Sequence, residues 1–238
     1  PTFAKMAALS RQMNHFFSLW LPAFCAEKYP DTYTVFAGGD DFFLIGPWLQ
    51  TQKLAAEMRE QFRRYVAENA AITFSAGIAV IKPGLPPGKL SAYAEEALEA
   101  AKAYPANENE KRKQLGSKNS VCVYGQVVSW QQWSGIQEAF ERIGRLKEAY
   151  GLSTGFVYSM LQFCEQAEAE KGGDINAGMW RSRFAYRTRR FVNDSKSITD
   201  KNNGYAQLTE AFYQNGIEKL GAKYRIPLFN HFYLLRAK

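Results

Sequence analysis

Two carboxylates stand side by side at Asp40 and Asp41, directly after the glycines Gly38 and Gly39. Adjacent carboxylates repel, and the repulsion raises a pKa unless cations neutralise it. Their oxygens are hard donors suited to Mg²⁺ or Mn²⁺, ions that in turn bind phosphate oxygens. Glycine permits positive φ and leaves the backbone bare, so a ligand can come close. Two metal ions at such a pair can activate a 3′-hydroxyl and stabilise a leaving pyrophosphate. The same four residues also suit an ordinary type I′ hairpin with solvated aspartates. The setting favours the metal reading, because the apolar runs Tyr33–Ala37 and Phe42–Ile45 flank the bend and read as the strands of a hairpin.

The surrounding elements must position that bend. Residues 3–26 read as one helix, with Met6, Met13, Phe16, Phe17, Trp20, Leu21 and Phe24 on an apolar face. Pro30 and Asp31 end the pattern. After the hairpin, residues 49–67 are helical through Leu54, Met58, Phe62, Tyr65 and Val66. Residues 72–81 are β-branched and apolar on both faces, the pattern of a buried central strand. A Pro/Gly turn over 83–88 leads to an Ala- and Glu-rich helix over 89–104, a polar loop over 106–120 and a short strand, Val121–Tyr124. The order helix, hairpin, helix, strand, helix, strand resembles that of a ferredoxin-like palm of the cyclase (GGDEF) type with its first strand missing. A palm sheet needs that strand, so the expectation is a fragment, or a strand borrowed from another chain. After Tyr124 strand signals stop and helical spacing takes over, with faces marked by Trp133, Phe156, Trp180, Leu208 and Phe229. The fold class expected is α+β, with a palm domain over residues 1–125 and an α-helical bundle over 126–238.

The chain of 238 residues is long enough for one or two domains. Its net charge of +7 is compatible with phosphate-bearing partners. Most of the excess lies in the helical region, which has 16 basic and 11 acidic residues against 14 and 12 in residues 1–125. Cys25, Cys122 and Cys164 are far apart, sit in apolar stretches and form no Cys-x-x-Cys, so they read as reduced core thiols of a cytoplasmic protein. With His15 and His231 as the only histidines, a His/Cys zinc site lacks ligands. No apolar run reaches the roughly 18 residues of a membrane span, and no secretory leader is expected.

Several stretches together resemble one family. They are the helix from Ala8-Leu-Ser-Arg11 to Phe16-Phe17, the block Tyr-Thr-Val-Phe-Ala-Gly-Gly-Asp-Asp-Phe-Phe-Leu-Ile-Gly-Pro-Trp (33–48), and the block Ile-Thr-Phe-Ser-Ala-Gly-Ile-Ala-Val (72–80). The segment 94–102, with Lys118-Asn119 and a short strand after it, belongs with them. All are similar to the second palm of the large subunit of type III-A (Csm) CRISPR–Cas effector complexes. The helical region resembles that subunit's C-terminal domain more loosely, and the likeness covers the whole chain.

The resemblance implies a role in antiviral defence. In that family two palms bind two ATP molecules and make cyclic oligoadenylate when foreign target RNA is bound. Carried over, Asp40 and Asp41 are the catalytic metal ligands, with Mg²⁺ or Mn²⁺ as cofactor and ATP as substrate. Gly38 and Gly39 admit the nucleotide, Ser10 contacts it and Lys118 meets its phosphates. Implied partners are the other Csm subunits, including the small helical one, together with crRNA, target RNA and single-stranded DNA; a membrane is not among them. The family's first palm strand supplies a further acidic metal ligand and is absent from this sequence. So are the HD-type nuclease domain, the first palm and the zinc-binding segment. The chain alone is therefore expected to be inactive as a nucleotidyltransferase.

Other residues allow two readings. Ser75 suits a buried hydroxyl bonded to backbone better than a nucleotide contact. Lys111-Arg112-Lys113 suits a solvated charge run better than a phosphate site. Arg183, Arg187 and Arg190 share one helical face, interleaved with Trp180, Phe184 and Tyr186; Arg181 and Arg189 lie nearby. That face suits a nucleic-acid backbone or, equally, a protein interface. For the whole chain, the alternative to an enzyme subunit is a non-catalytic scaffold that docks the small subunit and contacts nucleic acid. A free-standing diguanylate-cyclase relative fits less well, since the motif continues Asp-Asp-Phe-Phe and a large helical region follows.

Overall fold

Helix α1 (Phe3–His15) runs into a single wide π turn, Phe16–Trp20, and then into α2 (Leu21–Lys28). The computed structural model describes residues 2–104 and 118–236, so the charged triplet 111–113 lies outside the described residues. The expected helix over 3–26 is therefore interrupted, and Pro22 is the reason. Proline has no N–H to bond Ser18, and its ring would collide with that carbonyl in an α turn. A wider turn relieves the clash, with the Leu21 N–H donating to the Phe16 carbonyl. Apolar spacing correctly gives the buried side of the second half, where Phe16, Phe17, Leu21, Phe24 and Cys25 are covered. It misleads in the first half, where α1 buries no residue and Met6 is 59% exposed.

Strands β1 (Tyr33–Gly38) and β2 (Asp41–Ile45) form an antiparallel hairpin closed by the pair Gly38 and Asp41. Val35 is left out of the register as a bulge, which turns the strand ahead of the tip. On β2 the side chains alternate. Phe42 and Leu44 join Phe17, Leu54, Met58 and Phe62 in a core with α2 and helix α3 (Trp48–Tyr65). Phe17 stacks on Phe42 with centroids 5.4 Å apart, and Phe62 meets Phe74 edge to face at 5.4 Å. Each buried aromatic contributes on the order of 1.5–3 kcal/mol, so the base of the hairpin is firmly seated.

A second sheet has the order β3-β4-β5, made of β3 (Ala76–Ile78), β4 (Ser120–Val123) and β5 (Gln126–Ser129). β3 runs parallel to β4, and β4 antiparallel to β5. Helix α4 (Pro87–Ala103) crosses between β3 and β4. Two expectations are corrected. The strand over 72–81 is three residues long, because β4 is its one partner among the described residues and is itself short. The strand signals do not end at Tyr124: Tyr124 and Gly125, at φ 53° and 70°, form a two-residue turn that returns the chain as β5. Gly77 is required at its position, since a Cβ there would meet the backbone of α4 at Ala94 O, 2.6 Å away. The described residues thus carry two separate sheets where a ferredoxin-like palm has one.

Two compact units result, Pro1–Trp130 and Gln131–Lys238. Beyond β5 the chain is helical: α5 (Trp130–Tyr150), α6 (Thr154–Lys171), a 3₁₀ turn, α7 (Trp180–Asp194), α8 (Lys201–Leu208), a π segment Thr209–Glu218, a second 3₁₀ turn, and α9 (Arg225–Arg236). Ser153 caps α6 through the Phe156 N–H at 3.2 Å, and Asp200 caps α8 through the Asn203 N–H at 3.0 Å. Ile143, Phe156, Met160, Trp180, Phe184, Phe212 and Tyr224 fill the core of this unit. All three cysteines are free and buried, and burial pushes the Cys164 thiol up to about 12. Among the described residues no helix is long and apolar enough to cross a membrane.

Candidate nucleotide and metal site at the hairpin tip

The tip of the β1–β2 hairpin consists of Gly39 and Asp40, with Gly38 and Asp41 as the closing pair. Gly39 has φ 65°, whereas Asp40 is not in the left-handed region. Positive φ at the first turn residue alone is the pattern of a II′ turn rather than a I′ turn. The Gly39 N–H donates to Asn14 Oδ1 of α1 at 2.8 Å. Helix α1 is in turn tied to α3, since the Tyr65 hydroxyl donates to the Gln12 carbonyl at 3.0 Å. The bend therefore stands between a seated strand base and a fixed helix. Sequence reasoning missed Asn14: the contact spans 25 residues, and the one available signal is a polar side chain one helical turn after Ser10.

Asp40 and Asp41 are exposed, and among the described residues neither has an ion-pair or hydrogen-bonding side-chain partner. A Cβ built on Gly39 would meet nothing within 4 Å, and one on Gly38 only Asn14 Oδ1 at 3.8 Å. The space beside the backbone is open to a ligand. Two free carboxylates on a bare bend fit a divalent cation in donor type. In number they are too few for a closed cage. Among the described residues no third His, Cys, Asp or Glu joins them. Mg²⁺ demands near-octahedral coordination, so the remaining ligands would be water, a nucleotide phosphate or a group from elsewhere.

The other expected site residues are placed less tightly. Ser10 is exposed on α1, one turn before Asn14 and on the same side of the helix. Lys118 is exposed just before β4, and among the described residues it bonds to neither aspartate. Ser75 is a backbone anchor, its Oγ accepting from the Asn119 N–H at 3.1 Å. His15 is exposed. His231 is buried without a hydrogen bond at Nε2 among the described residues. Arg183, Arg187 and Arg190 are all exposed on α7, and they lie together. Arg181 is drawn off to Glu170 at 2.5 Å, and Arg189 lies over the Tyr205 ring at 4.7 Å.

A carboxylate-bearing glycine hairpin braced by helices marks a palm-domain protein. The chain belongs to the Cas10/Cmr2 family, and residues 1–121 match that family's second palm domain. A relative from Methanocaldococcus jannaschii, the CRISPR system single-strand-specific deoxyribonuclease Cas10/Csm1 of subtype III-A, is 32% identical over 140 residues. That match covers 54% of this chain and 18% of the relative. A crystal structure of the Csm1–Csm4 cassette in complex with cA3 aligns with a TM-score of 0.58 at 19% identity, over 94% of this chain and 32% of that one. The cassette in complex with one ATP aligns at 0.53 and 19%, with the same coverage. The chain thus spans less than a fifth of that relative and about a third of the solved chains. It corresponds to the C-terminal part of the type III-A large subunit, as the sequence motifs imply.

Proposed function

We propose that the hairpin tip binds ATP with Mg²⁺ or Mn²⁺ and that, in the complete type III-A effector, it joins ATP into cyclic oligoadenylate. The observation that carries this reading is the pair of exposed carboxylates, Asp40 and Asp41, on a bend bare of side chains at Gly38 and Gly39. The cassettes solved with ATP and with cA3 support a nucleotide as the ligand class. A bound divalent ion would supply charge neutralisation at the phosphates and the attacking hydroxyl. Asp40 and Asp41 fix negative charge at the tip to hold it. Gly39 lets a triphosphate reach the backbone, and Asn14 keeps the bend from swinging. Ser10 and Lys118 are proposed contacts to the nucleotide and its phosphates. A further acidic ligand enters on a strand pairing with the free edges of β2 and β3, which completes the ferredoxin-like sheet. Other Csm subunits, the small helical one included, and RNA are the proposed partners, in the cytoplasm.

A silent palm serving as scaffold is the second reading, favoured by the lack of a third acidic ligand among the described residues. A product assay on the reconstituted complex with target RNA separates the two. Asp40→Ala with Asp41→Ala is expected to cut cyclic oligoadenylate at least about a hundredfold, several kcal/mol of transition-state stabilisation. Unchanged product would leave the scaffold reading standing.

A further inference from the structure

Helices α6 and α7 leave an open groove of about 440 Å³ between them. Tyr158, Ser159 and Gln162 line it from α6; Arg183, Tyr186 and Arg187 line it from α7. Arg187 also lines an adjoining hollow of about 230 Å³ that runs on to Arg190 and Ser153. Five of the fifteen residues of α7 are arginine and one, Asp194, is acidic. Three of those arginines face this channel. Arg187 holds the Gly155 carbonyl at 3.3 Å, Arg190 reaches Asp194 at 3.6 Å, and Arg183 has no hydrogen bond or ion pair among the described residues. The N-terminus of α6 opens beside Arg187 and adds partial positive charge.

The rings decide what kind of anion fits. Tyr158 is 56% exposed and Tyr186 is 69% exposed, each beside a guanidinium in the same groove. A carboxylate-rich peptide accounts for the arginines but leaves both rings wet. A duplex hides its bases and is far wider than a groove of this volume, which suits a nucleotide-sized ligand. A single strand offers phosphates and unstacked base faces together. Arg183 and Arg187 are one helical turn apart, about 6 Å along the axis, so they can take different phosphates. Ser159, whose hydroxyl donates to the Phe156 carbonyl and can still accept, and Gln162 also line the groove and can bond base edges.

We propose that the groove between α6 and α7 binds single-stranded nucleic acid, with Arg183, Arg187 and Arg190 on phosphates and Tyr158 and Tyr186 stacked on bases. The proposal is independent of the chemistry at the hairpin. Fluorescence anisotropy with labelled oligouridylate and oligodeoxythymidylate of roughly 12 nucleotides, against the 238-residue chain, tests it. The expected slope of log affinity against log salt is about −2, from three phosphate contacts to a single strand. Tyr158→Ala and Tyr186→Ala are each expected to weaken binding about 5- to 150-fold. Tyr158→Phe is expected to retain it, and Arg183→Glu with Arg187→Glu to abolish it. Arg145→Glu reverses an exposed charge of α5 outside the groove and is expected to change affinity less than about twofold. The proposal is overturned if neither oligonucleotide binds, if the tyrosine variants bind like wild type, or if Arg145→Glu costs as much as a groove arginine. Capture of an oligoglutamate peptide in preference to the oligonucleotides would overturn it too, making the groove a protein-docking face.

Discussion

A single hydrogen bond does much of the positioning at the tip. Asn14 holds the Gly39 N–H, and a bond of this kind is worth about 1 kcal/mol net, small against folding yet acting directly beside Asp40. The Gly-Gly-Asp-Asp run is legible in sequence because its four residues are contiguous and their chemistry is unusual. Asn14 is not legible, because nothing local to a helix says which strand tip it will meet. His231 has the same limitation: its sequence neighbours do not reveal that it is buried. Burial first, and then Lys147, lowers its pKa from 6.5 to about 4. A depressed histidine is neutral when folded, while the unfolded chain takes up the proton, so stability falls as pH drops below about 6.5 and the loss is complete near pH 4. At pH 5 the expected cost relative to pH 7 is about 2 kcal/mol. Urea melts at the two pH values check it, with His231→Phe expected to remove most of the difference. An undiminished pH dependence in that variant would assign the effect to other groups.

Among the elements, the helices that follow the hairpin were legible, whereas the first helix and the strands were only partly so. The periods that mark α3, α5, α6 and α7 are set by each helix's own face against the core, and a single segment carries the whole signal. Strand length is set by the partner. Residues 72–81 are β-branched and apolar on both faces for most of their length, yet β3 stops where β4 stops. β5 was hidden because the turn before it, Tyr124-Gly125, carries only one glycine and none of the Asn or Asp that usually advertise a hairpin. Gly77 shows where an element's packing depends on one missing atom. Its Cα lies against the α4 backbone, including Ala94 O and the carbonyl carbon of Ala97, where a Cβ would stand 2.6 and 2.7 Å away. Backbone cannot swing aside as a side-chain tip can, so Gly77→Ala must push α4 off β3. Overpacking of this kind costs about 1–3 kcal/mol. Urea unfolding is expected to show a lower midpoint at an unchanged slope, and a wild-type midpoint would mean that α4 has room to shift.

At the scale of the whole molecule, the site proposed at the hairpin tip has two carboxylates and no third acidic ligand among the described residues. Among the described residues the carboxylates are exposed and unpaired, and the chain's two sheets are separate, with β2 and β3 each keeping a free edge. The strand proposed above, pairing with those edges and carrying another acidic ligand, would answer both features. Two carboxylates leave most of a divalent ion's coordination to water and nucleotide, and a loosely held ion cannot fix the geometry that phosphoryl-type chemistry depends on. The 238-residue chain by itself is therefore expected to convert ATP at no more than background rate, with Mg²⁺ or Mn²⁺ alike. The complete effector with target RNA is expected to make cyclic oligoadenylate and to lose that activity on chelation with EDTA, regaining it when Mn²⁺ is restored. Chromatography of the products from both preparations decides the matter. Vigorous oligoadenylate synthesis by the chain alone would show that Asp40 and Asp41 need no further ligand and that the sheet works unfinished.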